Sequence, residues 1–367
     1  MEDILALRKS LHNHPELSEQ EVETRNILKD FLASRLSHTT IVDKGRWFYA
    51  IKREEGATET IAFRADHDAI LGAEGPFHGC GHDGHSAILA GAAVALDEIS
   101  TGKNLVFLFQ HAEENGAGAK ECVALFDEVK VDRIVGLHNW PGFPKNAAVV
   151  KDGTFMCASR GLTIAMVGKQ SHASEPENGK NPIYVLSQLA TRLEPLSHFH
   201  GYGPVNWEGE EFLSMTLATI IHLKVGEQGA YGVSPSQGEL AVTLRGARVE
   251  DLDRLEEKVR AMARDLAEEA GLSVEFSIAD AFPDTTNPKE EVDRLRKIFA
   301  DAGEEVVEME EPIRSSEDFG WYQKKIPGVL FFLGSGKDCP ELHTKTYEFP
   351  DDLLEKGVEL FKEIALA

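Results

Sequence analysis

The stretch N-L-V-F-L-F-Q at 104–110, followed at once by H-A-E-E at 111–114, decides the architecture. Its apolar residues run without polar alternation, as in a strand buried on both faces. Working outward, W-F-Y-A-I at 47–51 and I-A-F-R-A at 61–65 read as strands before it, and R-I-V-G-L at 133–137 as a strand after it. S-A-I-L-A-G-A-A-V-A-L at 86–96 reads as a buried helix, and another helix is expected around 116–127. Strand and helix in alternation predict an α/β domain whose mostly parallel sheet is covered by helices. Ahead of it, 2–12 and 19–36 carry helical apolar spacing, the second with Ser18 as its expected N-cap.

The pattern changes near residue 160. G-L-T-I-A-M-V-G-K reads as a strand, N-P-I-Y-V-L-S-Q-L-A-T-R-L as a helix with Pro182 in its first turn, and F-L-S-M-T-L-A-T-I-I-H-L and E-L-A-V-T-L-R as two strands. An amphipathic helix over 250–270 and the strand L-S-V-E-F-S-I complete a βαββαβ order, a ferredoxin-like unit. Alternation resumes after P-D-T-T-N-P and includes the buried strand G-V-L-F-F-L-G. The expected division is therefore a catalytic domain of 1–159 and 284–367, with 160–283 inserted.

Composition narrows the function. The chain has 367 residues, 42% of them hydrophobic, and a net charge of −24. That charge argues against nucleic acid as partner, since phosphate binding needs clustered Lys and Arg, and against anionic membrane surfaces. The opening M-E-D-I-L-A-L-R-K-S has no apolar signal core, and no stretch is long and apolar enough to span a bilayer. Four cysteines show no disulfide-framework spacing. The expectation is a cytoplasmic protein with Cys80 free to bind metal.

Five residues assemble as candidate ligands: Cys80 and His82 in G-C-G-H-D-G-H, Glu114 in Q-H-A-E-E, His138 in G-L-H-N-W-P and His343 in E-L-H-T. A lone histidine is more often a core or surface residue than a ligand. Cys and His two apart between glycines is more specific, because the glycines let the backbone fold tightly and aim both side chains inward. Glu114 and His138 are expected just past strand ends, where open α/β sheets place their sites. Five ligands exceed one tetrahedral zinc site that also holds water, so two divalent ions fit better, with the bridging residue left open. Zinc and manganese both suit these donors, and cobalt or nickel can substitute. Asp68, in R-A-D-H-D-A, is placed to orient a ligand imidazole. Glu113 and Glu114 are expected to diverge as chain neighbours, one ligating while the other faces substrate as a general base.

These motifs resemble the di-metal amidohydrolases that include aminoacylases, plant auxin-conjugate hydrolases and carboxypeptidase relatives, above all the bacterial N-acyl-amino-acid amidohydrolases. The resemblance runs from L-R-K-S-L-H-N-H-P-E-L-S at 7–18 to S-E-D-F at 316–319 and L-H-T at 342–344. It implies Cys80, His82, Glu114, His138 and His343 as ligands, and Glu113 as the base that serves a metal-activated water and then the leaving amine. It implies that the insert is a lid and homodimerisation domain. There, His172 in G-K-Q-S-H-A-S-E-P would stabilise the oxyanion in the partner subunit's site, and Arg245 in T-L-R-G would meet a substrate carboxylate. The implied activity is hydrolysis of N-acyl amino acids or similar small amide conjugates. A dipeptidase or aminopeptidase with the same metals, or an inactive metal-binding scaffold, are the alternatives. The chain departs from the family pattern at His67 (usually Met), at His111 (usually Pro), in a short loop between Asp68 and His78, and at Gly232 (usually Asn). No G-x-S-x-G elbow is present, and G-S-G-K at 334–337 lacks the other residues of a phosphate loop.

Overall fold

The computed structural model describes residues 1–367, and the chain divides into two compact units. The first comprises Met1–Phe155, Thr285–Pro312 and Glu317–Ala367; the second comprises Met156–Asp284 with Ile313–Ser316.

An eight-stranded sheet organises the first unit. Its centre is four parallel strands in the order Asn104–Gln110, Thr60–Asp66, Arg133–Trp140 and Gly328–Gly334. Antiparallel pairing appears toward the edges, where Phe48–Lys52 joins Asn104–Gln110 and Ala148–Val150 joins Gly328–Gly334. The central strands are buried along almost their whole length, as expected of a sheet covered on both faces. Successive residues take opposite faces. Phe63 meets Phe107 and Phe361, the latter on the helix Leu353–Leu366. Arg64 points the other way, into a polar cluster described below.

Several local expectations are corrected. The second helix runs Glu23–Ala33, not from residue 19. Glu19 has φ +69°, which a helix excludes, and the Glu16 carboxylate takes the free N–H groups of Glu23 and Thr24. Ser18 is no cap; its hydroxyl donates to Asp68 Oδ2. The helix expected at 116–127 is two short pieces, Gly118–Cys122 and Leu125–Glu128. Pro182 sits at the N-cap of Ile183–Leu193 rather than inside its first turn.

The second unit is the expected ferredoxin-like sandwich. Strands Thr216–Val225, Gln237–Gly246, Ala158–Val167 and Ser273–Phe282 lie side by side in that order, all antiparallel. The helices Ile183–Leu193 and Val249–Ala270 share its core through Leu186, Leu189, Leu255 and Val259. No helix in the protein is long and apolar enough to cross a membrane.

Candidate metal centre

The carboxyl ends of the parallel strands gather the candidate ligands of the first unit. Gly81 caps the helix His82–Leu96 with φ +96°, and a Cβ there would lie 2.4 Å from Asn139 Oδ1. Glycine is thus required both for conformation and for space, and it lets Cys80 and His82 turn into one buried cavity. His138 lies within Arg133–Trp140 rather than after it, because pairing with Gly328–Gly334 extends that strand to Trp140. His343 stands on a loop with φ +62°, tied by its N–H to Gly79 O.

Both buried imidazoles present the same atom to the cavity. His82 Nδ1 donates to Asp68 Oδ1 (3.0 Å), and His138 Nδ1 donates to Asn139 O (2.6 Å). Each therefore turns an Nε2 lone pair inward, the pattern by which a second hydrogen bond fixes a ligating histidine. His82 Nε2 and Glu114 Oε1 are buried and have no hydrogen-bond partner. Cys80 Sγ lies 3.4 Å from His138 Nε2, His343 Nε2 lies 3.5 Å from Glu114 Oε1, and His82 Nε2 lies 3.7 Å from Glu114 Oε1. Arms of about 2.3 Å to sulfur and 2.0 Å to nitrogen or oxygen at tetrahedral angles would space neighbouring donors by roughly 3.5 Å. Two overlapping triads, Cys80–His82–His138 and Cys80–Glu114–His343, each bring their ligand atoms within 4.8 Å of one another, as do His82, Glu113 and Glu114. Orphaned lone pairs, soft and borderline donors and their spacing all fit divalent cations of the zinc type.

Glu113 and Glu114 do not diverge. Glu113 Oε2 lies 3.9 Å from His82 Nε2, and Glu114 Oε1 lies 3.7 Å from the same atom. They sit in a turn, not on a strand, so the two-residue alternation does not apply; Ala112 before them has φ +49°. Burial, then the carboxylates of Glu317, Glu114 and Asp318, holds the Glu113 carboxyl well above the usual range. The His343 imidazole is pushed up to about 10 by its contacts with Cys80 and Glu114.

Residues the sequence did not single out complete the surroundings. His85, one turn after His82, donates Nδ1–H to Asp66 Oδ1 (2.7 Å), and its Nε2 lies 2.6 Å from Asn139 Oδ1 and 3.1 Å from Asn139 N. Arg64, 1% exposed, reaches Asp66, Gln110, Glu317 and Asp318, each within 2.9 Å. A buried guanidinium amid three carboxylates offsets like charge that burial would otherwise make costly. Asp66 and the S-E-D-F segment were on view in the sequence, but nothing there pairs 64 with 317.

In the second unit, His172 is exposed on the short strand Ser171–His172, which pairs with Val233–Ser234. Its Nδ1 accepts the Ser174 N–H (3.1 Å) and lies 2.6 Å from Ser174 Oγ. Gly232 adjoins this ribbon through its carbonyl, which accepts the Ala173 N–H, and a Cβ on it would meet nothing within 4 Å. Arg245 donates to Arg314 O and Ser316 Oγ.

Fold and site together define a metal-dependent hydrolase with a cation site at the end of an α/β sheet. The model of Peptidase family M20/M25/M40 matches residues 56–367, and the chain belongs to that family. N-acetylcysteine deacetylase of Bacillus subtilis is 29% identical over 379 residues, covering 99% of this chain and 96% of that protein. An uncharacterized hydrolase of Staphylococcus aureus is 27% identical over 387 residues, covering 99% of this chain and 97% of its own. Among solved structures, the Bacillus subtilis YXEP protein, described as a dinuclear metal binding peptidase, superposes with TM-score 0.79 at 26% identity, over 99% of this chain and 96% of that one. The chain is a metal-dependent amidohydrolase.

Proposed function

We propose that the protein hydrolyses N-acyl amino acids or similar small amino-acid conjugates with two divalent cations per subunit, zinc or manganese first, cobalt or nickel as substitutes. The observation that carries this reading is the convergence of five donors, two of them imidazoles fixed with Nε2 inward, beside the buried Glu113 carboxylate. Cys80, His82, Glu114, His138 and His343 are the proposed ligands. The cations supply Lewis acidity toward water and the scissile carbonyl. Glu113 takes a proton from the attacking water and returns it to the leaving nitrogen, a task suited to a carboxyl whose basicity burial has raised. Asp68 keeps His82 in the ligating tautomer.

His172 is proposed to donate its Nε2–H to the oxyanion in a partner copy's site, and Arg245 to meet the substrate carboxylate with the donors its Arg314 and Ser316 contacts leave free. A homodimer through the second unit has support in the edge strand Thr216–Val225, which exposes Ile220, Ile221 and Leu223. The cytoplasm is the proposed location, consistent with four unpaired cysteines. The description of the Bacillus subtilis structure as a peptidase keeps a dipeptidase or aminopeptidase reading as the alternative. A panel of N-acyl amino acids and free dipeptides, assayed with metal restored to chelated protein, tests both. Release of amino acid from acylated substrates alone supports the deacylase. Turnover of free dipeptides alone replaces it with the peptidase, and no turnover with metals loaded favours a scaffold.

A further inference from the structure

We propose that Glu21 is a positioning residue whose carboxylate holds the Ala112 turn and so makes both Glu113 and Glu114 face the cation site. This inference rests on the reading of that cavity as the metal centre. The segment 16–21 lies across two strand-end loops. Glu16 O accepts the Ala69 N–H (2.8 Å), Ser18 Oγ donates to Asp68 Oδ2 (2.7 Å), and Glu21 Oε1 accepts the Ala112 N–H (2.7 Å). Glu21 is 4% exposed, so its carboxylate is not a solvated surface charge. Its partner is an alanine at φ +49°, a left-handed conformation that L-residues rarely adopt and that persists only where the surroundings over-determine it.

The other restraints on that turn are visible. Ala112 O accepts the Gly118 N–H (2.9 Å), and Gly118 admits no side chain, because a Cβ there would lie 1.7 Å from His111 O. The Glu114 N–H donates to Asp68 Oδ2 (3.0 Å). Asp68 thus ties His82, Ser18 and Glu114 together, while Glu21 supplies the acceptor on the N-terminal side of the turn. If Ala112 left the left-handed region, the turn that follows it would be re-aimed, and the carboxylates of Glu113 and Glu114 would no longer both approach His82 Nε2. Nothing in the spacing of E-L-S-E-Q-E signals this, since a Glu among acids reads as surface.

The test uses the full chain stripped of metal. Cobalt(II) affinity is measured by chelator competition for wild type, Glu21→Leu, Glu21→Gln and the double variant Glu21→Leu/Ala112→Gly. Amide exchange over 111–118 is followed on the same proteins with no metal added. Glu21→Leu is expected to weaken cobalt binding by on the order of tenfold to a hundredfold, as for other residues that orient ligands, and to speed exchange in the turn. Glu21→Gln keeps an acceptor oxygen and should stay within about threefold of wild type. The double variant should recover most of the loss, because glycine adopts positive φ without strain. Equal impairment with and without Ala112→Gly would show that Glu21 acts by packing alone and overturn the inference, as would unchanged affinity and exchange in Glu21→Leu. The exchange arm needs neither cation nor turnover, so a wild type that cleaves no amide, or binds no cobalt, refutes the proposed function while the Glu21 result still stands or falls by itself.

Discussion

The strand-end loops of the first unit and the short ribbon of the second differ in how firmly they hold their histidines. His82 and His138 are buried, and each has its outer nitrogen committed to a fixed acceptor. His172 is exposed, held at Nδ1 by Ser174 two residues along the chain, on a strand of two residues beside an open Gly232. The first arrangement determines tautomer and direction before any ligand arrives. The second leaves a donor free to adjust. The buried pair is preorganised in the chain as it stands, whereas an oxyanion donor at His172 would need its orientation completed where it meets its acceptor.

Breaking the rigid side should have the largest effects. Glu113→Gln is expected to keep its metal content while kcat falls by about a thousandfold, within the range for loss of a general base. Near-normal kcat with metal confirmed by elemental analysis would remove Glu113 from that role. Cys80→Ala should lower metal stoichiometry, since Cys80 belongs to two of the compact triads; unchanged stoichiometry would exclude it as a ligand. On the loose side, His172→Ala should lose roughly a hundredfold in kcat with metal content intact. Mixing it with Glu113→Gln should return activity if His172 serves a partner copy, and exchanging subunits that stay inactive would refute the action in trans.

His67 offers a smaller test inside the rigid unit. Burial, first of all, pushes its imidazole down to about 3, and neither ring nitrogen has a hydrogen-bond partner. The folded state keeps this ring neutral while the unfolded chain takes up a proton near 6.5, so stability is present above that pH and declines as pH falls toward 3. His67→Met should remove this decline, gaining roughly 2 kcal/mol at pH 5 relative to wild type and little from the ring's charge at pH 8. Denaturation curves that shift equally at both pH values would contradict it. The smallest effect is expected from Gly232→Asn: space is open and φ is not positive there, so melting should hardly change while KM ratios across the acyl panel shift. A flat KM pattern would separate the ribbon from substrate choice.

The structure also sorts the departures from the family pattern. His67 and His111 are buried, whereas Gly232 faces solvent. Most of the fold was legible because continuous apolar runs and a changed element order are chain-local signals. Element ends were less so. The second helix starts late because Glu16 caps it from outside, and Arg133–Trp140 extends through His138 because a neighbouring strand supplies its hydrogen bonds. The ligand candidates were legible through C-G-H and A-E-E. Their supports were not: Arg64 meets Glu317 across 253 positions and Glu21 meets Ala112 across 91, separations that carry no spacing signal.

By itself, the sequence determined the α/β sheet, the inserted βαββαβ unit and the donor types, because hydrophobic periodicity and ligand chemistry are properties of short segments. Only the tertiary structure decided that Glu113 and Glu114 face the same way, that both imidazoles offer Nε2, and that one buried arginine offsets three carboxylates. These depend on which backbone groups remain free at the ends of packed strands, and that is settled when distant segments meet.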